Sequence, residues 1–299
     1  MKIIVTGSLG NISKPLTEAL VQNGNDVIVI SSDPQKQETI KSLGATPAIG
    51  SLNDVDFLTA IFTGADAVYS MVPPNFYFDQ SLDLLEYYQS LGSNYAQAIK
   101  QSGVKRLVNL SSIGANLDKG NGILIGANNV EKILNELPSA VSITHIRPTS
   151  FYYNLFGYLP MIKSKGYIAA NYGEDDVIPW VSPKDIAMAI AEELGTPFVG
   201  RKFRYVASEE VTGSETARIL GEAIGIPDLK WNIISDEEAL NDLTQAGMNP
   251  KIAAGLIEMY GALHSGLLAE DYYKNKPAVM GKVKLTEFAK EFAVVFNQK

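Results

Sequence analysis

Hydrophobic and polar positions follow two different periods in the first half of the chain. Short runs rich in β-branched residues, too short for helices, are separated by segments in which apolar residues recur every three or four positions. The runs predict six strands, at residues 3–5, 26–30, 46–49, 67–71, 106–110 and 142–146. The spaced segments predict helices between them, the longest over 79–102 with Gly103 as its C-terminal cap. Regular alternation of strand and helix indicates a parallel sheet with helices on both faces.

A turn with two glycines joins the first strand to the first helix. Gly7 allows the tight turn, and Gly10 removes a Cβ that would keep an anionic ligand away from the backbone. The amides and the positive end of the following helix point at whatever lies over the turn, which suits a pyrophosphate. Ser13 occupies the third small-residue position of the dinucleotide-binding fingerprint. The turn therefore predicts dinucleotide contacts from Gly7, Ser8, Leu9, Gly10, Asn11 and Ile12.

Ligands of such sheets lie beyond the carboxyl ends of the strands, where the strand order reverses. The segments after the second, third and fourth strands supply the remaining predicted cofactor contacts: Ser31, Ser32, Lys36, Ser51, Leu52, Val72, Pro73 and Pro74. Ser31, Ser32 and Lys36 could hold the 2′-phosphate of NADP, whereas Asp33 could bind the free ribose of NAD. We predict NADP or NAD as the cofactor, with a slight preference for NADP.

Strict alternation fades beyond about residue 155. Helical spacing dominates there, over residues 181–194, 213–225, 236–246 and 250–266. We therefore predict a Rossmann-type, doubly wound parallel sheet in an α/β protein, with a smaller, mostly helical C-terminal domain on the substrate side. The predicted boundaries are 1–155 for the NAD(P)-binding domain and 156–299 for the second domain, from which segments return to the main sheet.

Composition removes several classes of function. The 299 residues carry a formal net charge of −8 and their lysines and arginines are scattered, which argues against direct nucleic-acid or membrane binding. The sequence has no cysteine, which excludes disulfides and thiol catalysis, and with only two histidines far apart we predict no metal site. No apolar run reaches membrane-spanning length and the opening residues lead straight into the first strand, so we expect a cytoplasmic protein.

Four segments resemble extended short-chain dehydrogenases: residues 5–13 (Val-Thr-Gly-Ser-Leu-Gly-Asn-Ile-Ser), 103–112 (Gly-Val-Lys-Arg-Leu-Val-Asn-Leu-Ser-Ser), 144–148 (Thr-His-Ile-Arg-Pro) and 180–187 (Trp-Val-Ser-Pro-Lys-Asp-Ile-Ala). Within that superfamily the chain is most similar to the NmrA-like group of atypical short-chain dehydrogenases, and residues 285–288 (Leu-Thr-Glu-Phe) also fit. That group includes nitrogen-metabolite regulators and NAD(P)H:quinone reductases. The resemblance spans essentially the whole chain and implies an NAD(P)-binding Rossmann fold.

The chain departs from the superfamily at the proton relay. Catalytic members carry Tyr-x-x-x-Lys in the helix after the fifth strand, where the lysine lowers the pKa of the tyrosine. Aligning Glu131 with the glutamate that follows this motif puts Ile123 and Ala127 at the tyrosine and lysine positions, and neither side chain transfers protons. A Tyr-x-x-x-Lys does begin at Tyr272, but it lies so far toward the C-terminus that chance explains it better. A second departure is Ser51, where relatives commonly have an aspartate for the adenine amine.

No catalytic residue is assigned from the sequence. Ser112 is a candidate, because the superfamily places a hydroxyl at the end of this strand to polarise a substrate carbonyl; capping the next turn is its alternative role. Aromatic residues after the fourth and sixth strands suit a planar substrate stacked on the nicotinamide, although packing between the two halves would explain them equally well. The predicted substrate contacts are Phe76, Tyr77, Phe151, Tyr152 and Asn154.

Two functions stay open at this point. The first is an NAD(P)H-dependent oxidoreductase of the NmrA-like type that reduces a quinone-like or other planar small acceptor without a Tyr-Lys relay, since a quinone takes its proton from solvent. The alternative is a non-catalytic NAD(P)-binding redox sensor that acts through a protein partner, which the missing relay explains equally well. A sugar-nucleotide epimerase would need the missing tyrosine and lysine. The oligomeric state stays open.

Overall fold

The computed structural model describes residues 1–298, and its elements alternate along most of that length. The strands are β1 (Lys2–Val5), β2 (Asp26–Ser31), β3 (Thr46–Ile49), β4 (Ala67–Ser70), β5 (Arg106–Leu110), β6 (Ser142–Pro148), β7 (Ser150–Phe151), β8 (Ile168–Ala170), β9 (Val177–Val181), β10 (Arg201–Val206), β11 (Glu209–Thr212) and β12 (Trp231–Ile233). The helices are α1 (Ser13–Gln22), α2 (Gln37–Ser42), α3 (Val55–Phe62), α4 (Leu84–Ser102), α5 (Ile125–Asn135), α6 (Leu159–Lys165), α7 (Pro183–Gly195), α8 (Gly213–Ile224), α9 (Asp236–Gln245), α10 (Pro250–His264), α11 (Glu270–Lys274) and α12 (Leu285–Asn297). Among the described residues no single helix is long and apolar enough to cross a membrane; α10 taken together with Leu267–Lys274 passes by length and composition, but the pair is bent by 71°.

Seven of the strands form one parallel sheet, in the order β10-β6-β5-β4-β1-β2-β3. Successive residues of β1 face opposite sides: Ile3 and Val5 pack with α1 and α7, whereas Ile4 packs with α3, α4 and α5. Because both faces of the sheet are covered, β1, β2 and β4 are apolar over most of their length rather than alternating with polar residues. In contrast, β5 and β6 also carry buried polar and charged residues, among them Asn109 and Arg147. The predicted Rossmann-type, doubly wound fold is confirmed.

The strand order reverses between β1 and β4. From β1 the chain proceeds outward to β3 on one side, and from β4 it proceeds outward to β6 on the other, so a crevice opens between their carboxyl ends. Two hydrogen bonds join the strand exits here: Thr6 N–H donates to Tyr69 O (3.2 Å), and Met71 N–H donates to Thr6 Oγ1 (3.1 Å). The turn after β1 and the segment after β4 therefore border the same crevice.

The long helix α4 begins later than the sequence predicted. The expected start was residue 79, but the helix starts at Leu84 because Asp83 caps it, its Oδ1 accepting two backbone N–H groups of the first turn at 3.0 and 3.1 Å. At the other end, Gly103 adopts φ +76° and donates its N–H to the last turn, as predicted for a C-terminal cap. The five residues lost from the helix belong instead to the loop that carries the first group of aromatic residues.

The second half of the chain completes the main sheet and builds another core beside it. β10 pairs in parallel with β6, and α7 packs on α1. Two small sheets, β7-β9-β11 and β8-β12, join α8, α10 and α12 around an aromatic core that includes Tyr152, Trp180, Trp231 and Phe288. The division into domains at residue 155 stays a prediction.

Candidate functional site

The turn after β1 has a shape that requires glycine. Gly7 adopts φ +83°, in the left-handed region, and a Cβ there would lie 2.7 Å from Ser13 Oγ and 2.9 Å from Met71 Sδ. Ser13, the first residue of α1, donates its hydroxyl to Thr6 O at 2.8 Å and so holds the helix against the strand exit. The serine at the third fingerprint position therefore allows the close approach of helix and strand that the fingerprint requires.

The start of α1 leaves backbone amides available to an anion. Ile12 is the N-cap residue, and no side chain caps this helix. Within residues 1–298 the amides of Asn11, Ile12 and Ser13 have no backbone acceptor, and Gly10 is exposed beside them. Amides at such a helix N-terminus are satisfied by anionic oxygens. The residues present therefore fit the pyrophosphate of a dinucleotide.

Hydroxyl groups connect this turn to the end of β2. Ser8, at φ +54°, donates its hydroxyl to Ser31 Oγ (2.9 Å), which in turn accepts the Asp33 N–H (3.1 Å). The Asp33 carboxylate is already engaged, because it accepts a backbone N–H (2.9 Å) at the start of the following 3₁₀ turn. Ser32 and Lys36 are exposed at the same edge. They are the polar side chains best placed here to meet a ligand.

A cavity of about 660 Å³ runs from this turn into the second half of the molecule. It begins at Gly7 and Gly10, passes the exits of β4, β5 and β6, and reaches α10. None of the described residues that line it is charged. The same part of the chain holds no group of three acidic or histidine side chains that could bind a metal ion.

Three tyrosines from three different elements line the cavity where it reaches α10. Tyr77 follows β4, Tyr88 lies in α4 and Tyr260 in α10, and all three pack against one small apolar cluster. We call these residues the tyrosine trio, and the part of the cavity that they line the aromatic end. Burial raises the pKa of all three phenols, that of Tyr260 to about 12, and the nearby phenol of Tyr77 raises the pKa of the other two further. At neutral pH the trio therefore consists of uncharged hydrogen-bond donors.

The two positions of the missing proton relay both face the cavity. Ile123 and Ala127 line it, so in the described chain the helix after β5 brings no acid or base to this wall. The glycine that precedes each of them lets a neighbour come close. A Cβ at Gly122 would lie 2.7 Å from a backbone nitrogen of α10, and a Cβ at Gly126 would lie 2.8 Å from the ring of Tyr88. The space beside the relay positions is thus occupied by α10 and by Tyr88.

The hydroxyls at the end of β5 have different surroundings. Ser111 Oγ donates to Glu131 at 2.5 Å, and Glu131 forms a buried ion pair with Arg147 at 2.6 Å. Ser112 lines the cavity, and its hydroxyl has no hydrogen-bond partner within residues 1–298. Of the two, Ser112 is therefore the one whose hydroxyl is available to a ligand.

The second Tyr-x-x-x-Lys lies outside the cavity. Tyr272 donates its hydroxyl to Glu210 (2.8 Å), and Lys276 forms an ion pair with the same carboxylate (2.6 Å). Neither side chain lines the cavity. Both residues of this motif are therefore engaged in a contact that joins α11 and its following loop to β11.

The cavity gathers only part of the predicted site. It is lined by Gly7, Gly10, Asn11, Ile12, Val72, Pro73, Pro74, Tyr77, Ser112, Phe151 and Asn154. The other predicted cofactor residues lie outside it, along the turn and the exits of β2 and β3: Ser8, Leu9, Ser31, Ser32, Lys36, Ser51 and Leu52.

Two predicted substrate contacts are not at the cavity. Tyr152 is fully buried, stacks on Phe288 with ring centroids 5.4 Å apart, and donates its hydroxyl to Glu209 (2.5 Å). The chain enters a 3₁₀ helix at this residue, which turns Tyr152 into the core and brings Tyr153 to the cavity instead. Phe76 is 66% exposed on the loop after β4.

Sequence reasoning missed the residues that α4 and α10 contribute. Besides Tyr88 and Tyr260, these are Leu256, Met259 and Leu263. Apolar residues on these helices recur with the helical period, which core helices show as well, so the pattern does not separate a cavity wall from a packed face. The one available signal was a tyrosine on each otherwise apolar stripe.

Comparison with known proteins places these features in context. A model of the NmrA-like family matches residues 1–268. A (4-alkanoyl-5-oxo-2,5-dihydrofuran-3-yl)methyl phosphate reductase from Streptomyces griseus is 27% identical over 228 residues, which cover 75% of this chain and 74% of the relative. The structure of an NADPH-dependent quinone oxidoreductase from Escherichia coli in complex with NADPH has a TM-score of 0.81 at 19% identity, covering 97% of this chain and 99% of that one. A triphenylmethane reductase from Citrobacter sp. has a TM-score of 0.78 at 20% identity, covering 99% and 100%. At such identities the two structures show a shared fold.

Proposed function

The chain belongs to the NmrA-like family, and from this membership we propose that it is an NAD(P)H-dependent oxidoreductase that reduces an uncharged, planar small molecule such as a quinone. The observation that carries the proposal is the cavity itself. One continuous space joins a glycine turn with available amides to an aromatic end, and within residues 1–298 no charged side chain lines it. A space of about 660 Å³ is of the size that small-molecule sites have.

The proposed cofactor lies across the carboxyl ends of β1, β2 and β4. The amides of Asn11, Ile12 and Ser13 would bind its pyrophosphate, and residues 72–74 would line the nicotinamide. When bound, it would supply a hydride to the acceptor. The chain's own part is to orient both molecules and to exclude water from the space between them.

We propose NADP over NAD by a small margin. Ser32 and Lys36 are exposed at the end of β2, where a hydroxyl and an ammonium group could bind the 2′-phosphate. The carboxylate of Asp33 accepts one backbone N–H with Oδ1, which directs this oxygen toward the following turn. The similar quinone oxidoreductase from Escherichia coli is described as NADPH-dependent.

An uncharged acceptor suits the cavity better than an anionic one. By its name, the relative from Streptomyces griseus acts on a phosphate ester. Phosphate groups are bound by arginine, lysine or clustered amides. The available amides of this cavity are those that would bind the cofactor, and no arginine or lysine of the described chain lines it. We therefore extend the reductase activity of the relatives to this chain, and not the phosphate-bearing substrate.

The direct test follows the absorbance of NADPH and NADH in the presence of the pure protein and a panel of acceptors. We expect oxidation with uncharged quinones such as menadione, a higher kcat/KM with NADPH than with NADH, and little activity with an anionic naphthoquinone sulfonate. A protein that binds NADPH but oxidises it no faster than buffer with every uncharged quinone would contradict the proposal.

A redox sensor is the second candidate, and the apolar relay positions Ile123 and Ala127 favour it. Such a protein would bind the dinucleotide without turnover and pass the redox state to a protein partner. It would need different affinities for NADP⁺ and NADPH, because a ligand shifts a conformational equilibrium only by its differential affinity. Calorimetry that gave equal affinities for the two forms would exclude this function.

A further inference from the structure

The tyrosine trio contains hydroxyls that the protein itself does not use. Within residues 1–298 the hydroxyls of Tyr77, Tyr88 and Tyr260 make no hydrogen bond, although each residue lines the cavity. Other phenols of the molecule donate to protein acceptors, among them those of Tyr87, Tyr95, Tyr152, Tyr158, Tyr205 and Tyr272. The trio's hydroxyls are not sealed in the core, unlike the unpaired hydroxyl of Tyr69, so they are accessible to water or to a ligand. Polar groups in such a place are normally satisfied by water or by a ligand.

The trio lies beside the two positions of the absent relay. Tyr88 packs its ring on Gly126, next to Ala127, and the backbone of α10 just before Tyr260 packs on Gly122, next to Ile123. Both approaches require glycine, because a Cβ at either position would be less than 3 Å from its neighbour. The ring of Tyr88 from α4 and the backbone of α10 therefore both pack beside the relay positions Ile123 and Ala127.

The third member is held in the same place by a separate contact. Asn249, only 4% exposed, donates its N–H to Tyr77 O (2.9 Å) and its side-chain amide to Asp79 O (3.0 Å) and Leu82 O (3.3 Å). These bonds attach the loop after β4 to the start of α10, the helix that carries Tyr260. The phenols of Tyr88 and Tyr260 thus both lie near that of Tyr77, because three elements distant in sequence are connected there.

We propose that the tyrosine trio binds the carbonyl oxygen of the acceptor and stabilises the negative charge that develops on that oxygen during reduction. This inference rests on the proposed reductase function. As the hydride adds to one carbonyl oxygen of the quinone, the electron pairs shift through the ring to the opposite carbonyl oxygen. That oxygen becomes a phenolate and takes one proton from solvent, so that the product is the hydroquinone. The phenols keep their own protons and act as donors, like other preorganised groups that stabilise an oxyanion.

The chemistry of the aromatic end agrees with this role. A carbonyl oxygen needs donors, and uncharged phenols supply them without the desolvation cost of a buried ammonium or guanidinium group. The raised pKa values keep the phenols protonated, as a hydrogen-bond donor must be. A relay tyrosine differs, because its pKa is lowered so that it can give up its proton. The apolar residues around them would contact the ring of the acceptor.

Binding of menadione can be measured without any cofactor. Trp180 lines the cavity and the other tryptophan, Trp231, contacts Tyr172 at its wall (ring centroids 5.3 Å apart), so the quinone should quench the protein's fluorescence. We expect Tyr260→Phe and Tyr88→Phe each to weaken menadione binding by about fivefold, and the double variant by more than tenfold. Tyr273→Phe, which removes an exposed phenol outside the cavity, is the matched control and should bind menadione like the unmodified protein.

Each variant keeps its ring, so unfolding is not expected, and thermal melts check that it is folded. NADPH affinity should be unchanged in all of them. In the Tyr88 and Tyr260 variants, kcat/KM for menadione should fall by at least the factor by which menadione affinity falls. Unchanged menadione affinity in the double variant would overturn the inference, and so would failure of the unmodified protein to bind menadione. The proposed function fails separately, if unmodified protein that binds menadione and NADPH gives no oxidation.

Discussion

The two ends of the cavity are built in different ways. The glycine turn is made by eight consecutive residues, 6–13, and offers mainly backbone: the conformation of Gly7, available amides and the start of α1. The aromatic end is made by side chains from the loop after β4, from α4 and from α10, up to 183 positions apart in sequence (77 to 260). A backbone site depends on one local conformation, whereas a side-chain site depends on how the whole fold brings helices together. A single substitution should therefore abolish most of the NADPH affinity at the turn, whereas substitutions at the aromatic end should lower menadione affinity in smaller steps.

The largest effect is expected from Gly7→Ala. The new Cβ would collide with Ser13 Oγ and Met71 Sδ in a conformation already unfavourable for alanine, so we expect NADPH affinity to fall at least about a hundredfold. The matched control is Gly64→Ala, at φ +76° with nothing within 4 Å of the added Cβ. That variant should lose about 1–2 kcal/mol of unfolding free energy and keep its NADPH affinity. Equal NADPH affinities of the two variants in calorimetry would show that the turn does not bind the cofactor.

The next largest effect is expected from a charge placed in the aromatic end, which should lower the affinity for the acceptor and not that for the cofactor. Met259→Lys introduces an ammonium group without a carboxylate partner among the lining residues, so we expect menadione affinity to fall at least about tenfold with NADPH affinity unchanged. Met259→Leu preserves volume and polarity and should stay within about twofold of the unmodified protein. If Met259→Lys weakened both ligands equally, the division of the cavity into two ends would be wrong.

A smaller effect is expected at the adenosine side of the turn. Lys36→Gln removes an exposed cation that would meet the 2′-phosphate, so we expect the KM for NADPH to rise by about fivefold and that for NADH to stay unchanged. Lys41→Gln, which alters an exposed lysine paired with Glu38 on the next helix, is the control. A rise in both KM values would assign Lys36 to general attraction of anions rather than to the 2′-phosphate.

We expect pH to have no effect on menadione binding at the aromatic end, which makes this the smallest of the predicted effects. Burial raises the pKa of Tyr260 to about 12, so this phenol stays protonated in both the free protein and the complex up to that range. Its contribution to binding would be lost only as the pH rises through the raised value. Menadione affinity measured between about pH 6 and about pH 9 should therefore be constant. A titration within this window would mean that a different group controls the site.

The same contrast explains how far the amino-acid sequence predicts this protein. The turn was recognised because its signal is local: two glycines and a small residue between a β-branched run and a helix. The sheet was recognised for a similar reason, since burial on both faces gives short apolar runs such as residues 3–5, 27–30 and 67–69. Tyr88 and Tyr260 were not recognised, because a tyrosine on an apolar helical stripe has the same pattern whether it faces a core or a cavity.

The position of Tyr152 away from the cavity has a related cause. Two neighbouring aromatic residues after β6 appear equivalent in sequence, and the direction of each depends on the 3₁₀ helix that begins there. That short helix buries Tyr152 beside Phe288 and leaves Tyr153 half exposed at the cavity. Two adjacent residues therefore differ in role, one belonging to the core and the next to the cavity wall. The conformation of such a short helix is set by tertiary packing rather than by composition.

The pairing of β6 with β10 has a consequence for how the protein is made. All seven residues of β6 are buried in the finished molecule, and its outer neighbour is supplied only by residues 201–206. While the ribosome adds the chain between residue 155 and residue 206, the nascent sheet has an open edge strand that can pair with other chains. We expect release of the chain at residue 155 to give aggregates, and we expect slow translation of this interval to increase its dependence on chaperones.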